Sequence, residues 1–347
     1  MFEKVLIANR GAIAVRIIRT LKRLGIQSVT VYADSDTNSL HVKHADESIC
    51  LGAGPASDTY LDQDKILAIA KATGAQAIHP GYGFLSENAG FARRCEVAGI
   101  IFIGPTPEQI EQFGLKHTAR AIAQAAQVPL LPGSGLLTDL FDARAEAQII
   151  GYPLMLKSTA GGGGIGMELC YDEQELDGAF DSVKRLSANN FSNDGVFLEK
   201  FIARARHIEV QMFGNGCGEA VAIGERDCSS QRRNQKVVEE CPAPNLSNVV
   251  RQQLHLTAET LCKQIDYRNA GTVEFIVDAD SEAFYFLEVN TRLQVEHGVT
   301  EEVYGIDLVE WMLCLASGGD ARFSDQVAMR ALRESLKPKG HAIQVRL

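Results

Sequence analysis

Five polar side chains alternate through FLEVNTRLQVEHG, Phe286 to Gly298. They are Glu288, Asn290, Arg292, Gln294 and Glu296, separated by Val289, Thr291, Leu293 and Val295. Successive side chains of a strand point to opposite faces. The polar set therefore shares one face for as long as the chain stays in a sheet. A solvated edge strand alternates in the same way, but usually with Lys, Thr and Ser. Carboxylates running into an arginine suit a metal site beside an anion site. Glu274, in TVEF, is the second carboxylate of such a site. If its strand pairs antiparallel with FLEVN, Glu274 and Glu288 lie side by side and repel unless a cation joins them. With Asn290 they make an oxygen set suited to Mg²⁺ or Mn²⁺ holding a nucleotide's phosphates. Separate surface salt bridges are the plainer alternative.

Two further clusters point to anions. Lys157 ends the strand-like YPLMLKS and precedes Gly161, Gly162, Gly163, Gly164 and Gly166. Glycines let backbone N–H groups approach phosphate closely, so a mobile flap over phosphates is expected, with a flexible surface turn as the alternative. The run lacks the GK[ST] of a Walker loop. The second cluster is QRRNQK, Gln231 to Lys236. With Arg292 it forms a pocket for a small anion, Arg offering a planar fork and Lys a point charge; a solvated loop is the alternative.

The elements that must position these groups fall into two patterns. KVLIAN, SVTVYA, DESICLG, AQAIHP and IIFIGP read as strands, interleaved with helices AIAVRIIRTLKRLG, LDQDKILAIAKATG and NAGFARRCEVAG. That alternation implies parallel βαβ units in a doubly wound sheet. The first turn reads NRGAIAVR, not GxGxxG, so a Rossmann-like sheet without its usual dinucleotide is expected. About Thr106 to Thr138 reads as helical, with turns at VPLLPGSG. A compact α+β unit follows, with strands YPLMLKS, ELCY and VFLEKF. HIEVQMFG, EAVAIGERDCS, TVEFIVD and AFYFLEVN then read as an antiparallel sheet with the helix NVVRQQLHLTAETLCKQI inserted. DLVEWMLCLASG reads as a last helix and HAIQVRL as an apolar strand.

The 347 residues suffice for two or three domains. With 46% hydrophobic and 22% charged residues the composition is that of a globular protein. A formal charge of −10 argues against a broad nucleic-acid surface. No run is long enough to span a bilayer, and MFEKVLIANRG lacks a signal-peptide layout. The eight cysteines are scattered, and Cys217 and Cys228 lack partners at metal-site spacing. Reduced thiols in a cytoplasmic protein are the expectation.

IANRGAIAVRIIR, HPGYGFLSEN, KSTAGGGGIGM, ARHIEVQ, GERDCSSQRRNQKVVEE and FLEVNTRLQVEHGVTE together resemble the ATP-grasp biotin carboxylases, over essentially the whole chain. FGLKHTAR, ARARHIEVQMFG, QRRNQK and GIDLVEWM are similar to the urea carboxylase branch, the carboxylase part of urea amidolyase, whose relatives act on guanidine. The resemblance implies a Rossmann-like domain over 1–113, an ATP-grasp domain over 114–324 with its lid at about 132–203, and over 325–347 the start of a truncated C-terminal domain. Family members turn ATP, bicarbonate and biotin into ADP, phosphate and carboxybiotin by way of carboxyphosphate. By motif match, Lys116 and Lys157 hold the ATP phosphates, under a lid of the glycines and Met167. Glu199 and the backbone of Lys200 and Ile202 hold adenine, and His207 and Gln231 lie at the ribose. Glu274 and Glu288 bind the metals, with Asn290 near them. Lys236, Arg292, Gln294 and the Val295 backbone hold bicarbonate, Glu296 is its general base, and Arg346 stabilises the biotin enolate. The resemblance also implies a homodimer, a biotin carrier domain and a carboxyltransferase domain as partners, with no nucleic acid and no membrane. No lysine lies in the AMKM context, so biotin arrives on a carrier from elsewhere in a longer chain or on a partner.

There are departures. Asn234 stands where many members have His, which excludes acid–base work there and leaves a donor for a ribose hydroxyl. Gly298 stands where Pro is common. The family continues well past Arg346, in a domain on which its biotin binding and dimerisation lean. Three other functions compete. One is another ATP-grasp carboxylate–amine ligase, since carbamoyl phosphate synthetase shares the metal and glycine elements; HPGYGFLSEN and RLQVEH speak against it. Another is an ATP-binding fragment without turnover. A nicotinamide oxidoreductase lacks its glycine fingerprint.

Overall fold

The structure, a computed structural model, describes residues 1–160, 166–191, 194–233 and 235–346. Gly161, Gly162, Gly163, Gly164 and Asn234 lie outside the described residues.

The N-terminal part alternates β1 (Lys4–Ile7), α1 (Gly11–Arg23), β2 (Gln27–Ala33), α2 (Leu40–His44), β3 (Glu47–Gly52), α3 (Gln63–Thr73), β4 (Ala77–His79), α4 (Ala89–Val97) and β5 (Ile101–Phe102). All pairings are parallel, in the order β3-β2-β1-β4-β5. This is the doubly wound sheet expected from the sequence. Both faces are covered, as a parallel sheet requires. Val5 and Ile7 pack with Ile13, Ile17 and Leu21, while Leu6, Val29 and Ile78 pack with Ile66 and Phe91.

The strand order reverses between β1 and β4, where such sheets open a crevice. The loops after these strands are tied together there. Asn9 Nδ2 donates to the Pro80 carbonyl at 2.7 Å and to Tyr82 at 2.8 Å. Gly81 sits at φ +66°, and a Cβ there would lie 2.9 Å from Asn9 Nδ2. Gly81→Ala is therefore expected to cost at least about 1–2 kcal/mol, the left-handed penalty alone. Urea denaturation would show this as a lowered midpoint at unchanged slope.

Helices α5 (Pro107–Gly114) and α6 (Lys116–Ala125) follow. The turns expected at VPLLPGSG lie in non-helical backbone, which begins before them and runs on to residue 139, and the helical part before them is in two pieces. The helix breaks at Leu115, where the backbone is extended (φ −113°, ψ 128°), and residues 126–139 form neither helix nor strand. Next come α7 (Leu140–Ile150), β6 (Leu154–Ser158), β7 (Met167–Cys170), α8 (Glu173–Phe191) and β8 (Val196–Lys200), forming a small antiparallel sheet in the order β7-β6-β8.

The rest is built on β9 (Ala205–Asn215), β10 (Ala220–Arg232), β11 (Gln235–Cys241), α9 (Asn248–Gln264), β12 (Arg268–Asp278), β13 (Phe284–Asn290), α10 (His297–Tyr304), α11 (Leu308–Ala316), α12 (Gln326–Ser335) and β14 (Ala342–Val345). The six strands pair antiparallel in the order β13-β12-β9-β10-β11-β14. Sequence reading missed α10, α12 and β11. Of QRRNQK, read there as a basic pocket segment or a loop, Gln231 and Arg232 end β10, Gln235 and Lys236 begin β11, and all four line the cavity. No described helix is long and apolar enough to cross a membrane.

Alternation decides what each sheet face does. Along β9, Ile208, Val210 and Met212 face a core with Val273, Phe275 and the helices α6 and α9. His207, Glu209 and Gln211 therefore face the other way, as do Glu274 and Ile276 of β12. That second face is the floor of the site.

Candidate active site

A cavity of about 1280 Å³ lies over this floor. Its lining is of two kinds: Met155, Met167, Ile202, Ile276 and Leu287 are apolar, while Lys116, Lys157, Lys236, Glu274, Glu288 and Arg292 carry charge. The apolar side chains suit a flat aromatic base and the charged ones suit phosphates and cations.

The expected strand pairing is present. Glu274 lies opposite Glu288 and, on its other side, opposite Glu209. The reason Glu288 faces the cavity was not legible. Simple alternation puts Phe286 and Glu288 on one face. The register slips by one residue between Glu274–Glu288 and Phe275–Phe286, a bulge at Leu287. It leaves Phe286 in the core and turns Glu288 into the site. Bulges re-aim side chains next to active sites.

Three carboxylates in a row repel one another. Lys236, from β11, enters among them. Its Nζ donates to Glu209, to Glu274 Oε1 at 2.7 Å and to Glu296 Oε1 at 2.9 Å. Burial opposes its charge, but Glu209, Glu274 and Glu296 hold its pKa well above the usual lysine range. Burial also opposes ionisation of Glu274, and Lys236 and His207 outweigh it, keeping this carboxyl far below the usual range. His207 Nε2 lies 2.5 Å from Glu274 Oε2, and Gln231 Nε2 lies 2.9 Å from His207 Nδ1. Glu288 shifts the other way, upward, through burial and then through Glu274. The donor set fits a hard divalent cation, whose charge would offset the repulsion between Glu274 and Glu288.

The chain leaves the sheet after Asn290. Arg292, Gln294 and Glu296 therefore do not continue a strand face; an irregular segment brings them to the cavity. Arg292 donates through its NH2 nitrogen to Asn290 Oδ1 (3.0 Å) and through NH1 to Gln294 Oε1 (2.8 Å). Asn290 and Gln294 donate in turn to Glu274 Oε1, at 2.8 and 3.3 Å. Val295 also lines the cavity. Glu296 is fully buried and precedes α10. Lys236 donates to one of its oxygens and Arg346 to the other, at 2.9 Å. Pairing of β14 with β11 sets Arg346 there, and its Nε donates to Glu239 at 2.6 Å. Gly298 lies in the first turn of α10, and a Cβ on it would meet no neighbour within 4 Å.

Lys157 on β6 donates to Glu199 on β8, and Arg120 donates to the second oxygen of the same carboxylate. Lys116 is half-buried; desolvation lowers its pKa, with Glu288 opposing. The Lys200 N–H already donates to the Pro132 carbonyl at 2.8 Å. A ligand contact there has to use another group. Gly166 precedes β7, which begins at Met167, and Ser158 N–H donates to the Gly166 carbonyl at 2.8 Å.

Sequence reasoning missed Glu87, Arg120, Glu209, Arg226 and Glu239. Glu209 had a signal: it lies two residues after His207 on a strand, and so on the same face. Arg226 had none. It is buried and donates to Glu209, Gln211 and Thr300.

Comparison with known proteins bears on what this cavity serves. A family model of the biotin carboxylase N-terminal domain matches residues 1–110, and one of the carbamoyl-phosphate synthase L chain ATP-binding domain matches 116–322. The biotin carboxylase of Halalkalibacterium halodurans is 51% identical over all of this chain and 75% of its own length. The chain belongs to the biotin carboxylases. The family's urea amidolyase from Lachancea kluyveri is 57% identical over 91% of this chain, which spans only 17% of that relative. The biotin carboxylase domain dimer of Hydrogenobacter thermophilus 2-oxoglutarate carboxylase, solved with MgADP and bicarbonate, superposes with a TM-score of 0.94. It is 44% identical, over 100% of this chain and 74% of that one. The resemblance read from the motifs is thus shown, as is the fold: a parallel N-terminal sheet followed by an ATP-grasp unit.

Proposed function

We propose that this chain is the biotin carboxylase component of a biotin-dependent urea carboxylase. The observation that carries the reading is the convergence on Glu296. A buried carboxylate, bound by Lys236 and Arg346, lies beside Arg292 and Gln294 and next to the paired Glu274 and Glu288. One pocket then holds an anion, its base and a phosphate-bound cation together.

Lys116, Lys157, Gly166, Met167 and the glycines 161–164 take the ATP phosphates. Glu199, Lys200, Ile202, His207, Gln231 and Asn234 take adenine and ribose. Glu274, Glu288 and Asn290 hold Mg²⁺ or Mn²⁺, which neutralises phosphate charge when bound. Lys236, Arg292, Gln294 and the Val295 backbone take bicarbonate. Glu296 removes the bicarbonate proton, for which hydrogen-bond reach is required. The freed oxygen attacks the γ-phosphorus, the bond to the β-phosphate oxygen breaks, and ADP leaves. Carboxyphosphate then splits into CO₂ and phosphate. Phosphate takes the proton of the biotin ureido nitrogen, and that nitrogen adds to CO₂. Arg346 stabilises the charge on the ureido oxygen. Transfer of this kind depends on positioning and charge neutralisation, which a closed ion network supplies.

The division at 113 and 324 belongs to this proposal and is supported by the two family-model matches. So do a carrier domain for biotin, a carboxyltransferase domain, a homodimer and a cytoplasmic setting. Similarity to urea amidolyase favours urea as the final acceptor, with guanidine as the alternative. The test is ADP release from MgATP by the purified chain. Release is expected to need both bicarbonate and biotin, and to stop with EDTA. Release indifferent to biotin would favour another ATP-grasp ligase. Nucleotide binding without release would favour an ATP-binding fragment.

A further inference from the structure

HPGYGFLSEN follows β4, at the point where the parallel strand order reverses, and no step above uses it. Its Glu87 is the one residue of the first hundred to line the cavity among the described residues. Glu87 Oε1 accepts from the Thr291 backbone N–H at 3.2 Å, and Oε2 accepts from Arg292 Nε at 2.7 Å. One carboxylate thus grips the backbone and the side chain of successive residues, more than 200 positions away in the chain.

The guanidinium is thereby held on three sides. Nε goes to Glu87, NH1 to Gln294 Oε1 and the Leu293 carbonyl, and NH2 to Asn290 Oδ1. Arg has five N–H donors in a rigid plane. Four are engaged, and the fifth, on NH2, is left for an anion. Asn290 and Gln294 both donate to Glu274 of β12. Among the described residues, Glu87 is the one whose hydrogen bond ties the plane to the N-terminal part of the chain.

We propose that Glu87 is a positioning residue that sets the rotation of the Arg292 guanidinium, and so the affinity for bicarbonate. This rests on the function proposed above. Two effects of Glu87 oppose each other. Its charge repels a nearby anion; its grip pre-pays the ordering of a long side chain. Two observations favour the grip. The charge is matched by Arg292 in a charge-assisted bond, and the carboxylate is 40% exposed, where water screens it. Glutamine replaces one of the two accepting oxygens with an NH2 group, so one of the two donors loses its partner.

Glu87→Gln separates the two effects by sign. The bicarbonate KM of ADP release is expected to rise about tenfold, the scale of one hydrogen bond to a charged group. The ATP KM should stay within experimental error. A bicarbonate KM that is unchanged or lower would overturn the proposal, and so would an equal rise in both constants. A second readout needs no turnover. In the ¹⁵N spectrum of the full chain, the Arg292 Nε–H signal, assigned by its loss in Arg292→Lys, should exchange with water faster in Glu87→Gln. Unchanged exchange overturns the positioning role even if the unmodified chain releases no ADP. Absence of ADP release with altered exchange would sink only the proposed reaction.

Discussion

Glu296→Ala is expected to lower bicarbonate-dependent ADP release by about 10²–10⁴-fold, the range supplied by a positioned general base. MgATP binding should remain, because the apolar lining, Lys116 and Lys157 are left intact, and the cations that Glu296 binds are Lys236 and Arg346. The alanine has a second consequence. Lys236 and Arg346 both donate to Glu296, so its removal leaves two cations short of a partner. Glu296→Gln separates the effects. It retains an oxygen for one cation and the shape of the side chain, but it cannot take a proton. Comparable loss in both variants assigns the effect to proton transfer. A glutamine variant within tenfold of the unmodified chain would remove Glu296 from the chemistry and leave it a structural partner of Lys236. Steady-state ADP formation against bicarbonate, paired with nucleotide titration calorimetry, reads both.

Much of this site was legible because local patterns are strong. TVEF and FLEVN alternate, sit in adjacent elements and carry one glutamate each, so antiparallel pairing brings Glu274 to Glu288. The parallel sheet was legible from strands interleaved with amphipathic helices. What escaped depends on departures from period two and on long-range pairing. The bulge at Leu287 decides which face Glu288 takes, and nothing in FYFLEVN marks it. Beyond Asn290 the backbone follows no period. Arg292 and Glu296 are placed by Glu87 and Lys236, far away in sequence. Lys236 was singled out as part of a basic segment, but its role in separating three carboxylates follows from the β10–β11 hairpin, and β11 was not foreseen. Gly161 to Gly164, the clearest single motif for phosphate, fall outside the described residues, so the lid adds nothing to this comparison.

Arg226→Met is expected to cost about 3–5 kcal/mol of stability, the scale for breaking a buried ion pair from one side. Arg226 and Glu209 are both fully buried. Besides Glu209, the guanidinium donates to Gln211 at 2.8 Å, to Thr300 of α10 at 2.9 Å and to Thr272 at 3.3 Å. Methionine fills much of the volume and satisfies none of them. Glu209 would then keep only Lys236, which it shares with Glu274 and Glu296. A double variant, Arg226→Met with Glu209→Leu, distinguishes a stabilising network from one kept for function. Replacing both partners by apolar groups should return part of the lost stability, since a desolvated pair gains little over good packing. Activity should not return with it. Lys236 would have lost a partner that fixes it, and Thr300 the contact that steadies the helix after Glu296. Urea denaturation and ADP release measured on the single and double variants give the two answers. Recovery of both together would mean that the Arg226–Glu209 pair serves the fold alone. Recovery of stability without activity would make it part of the apparatus that aims Lys236.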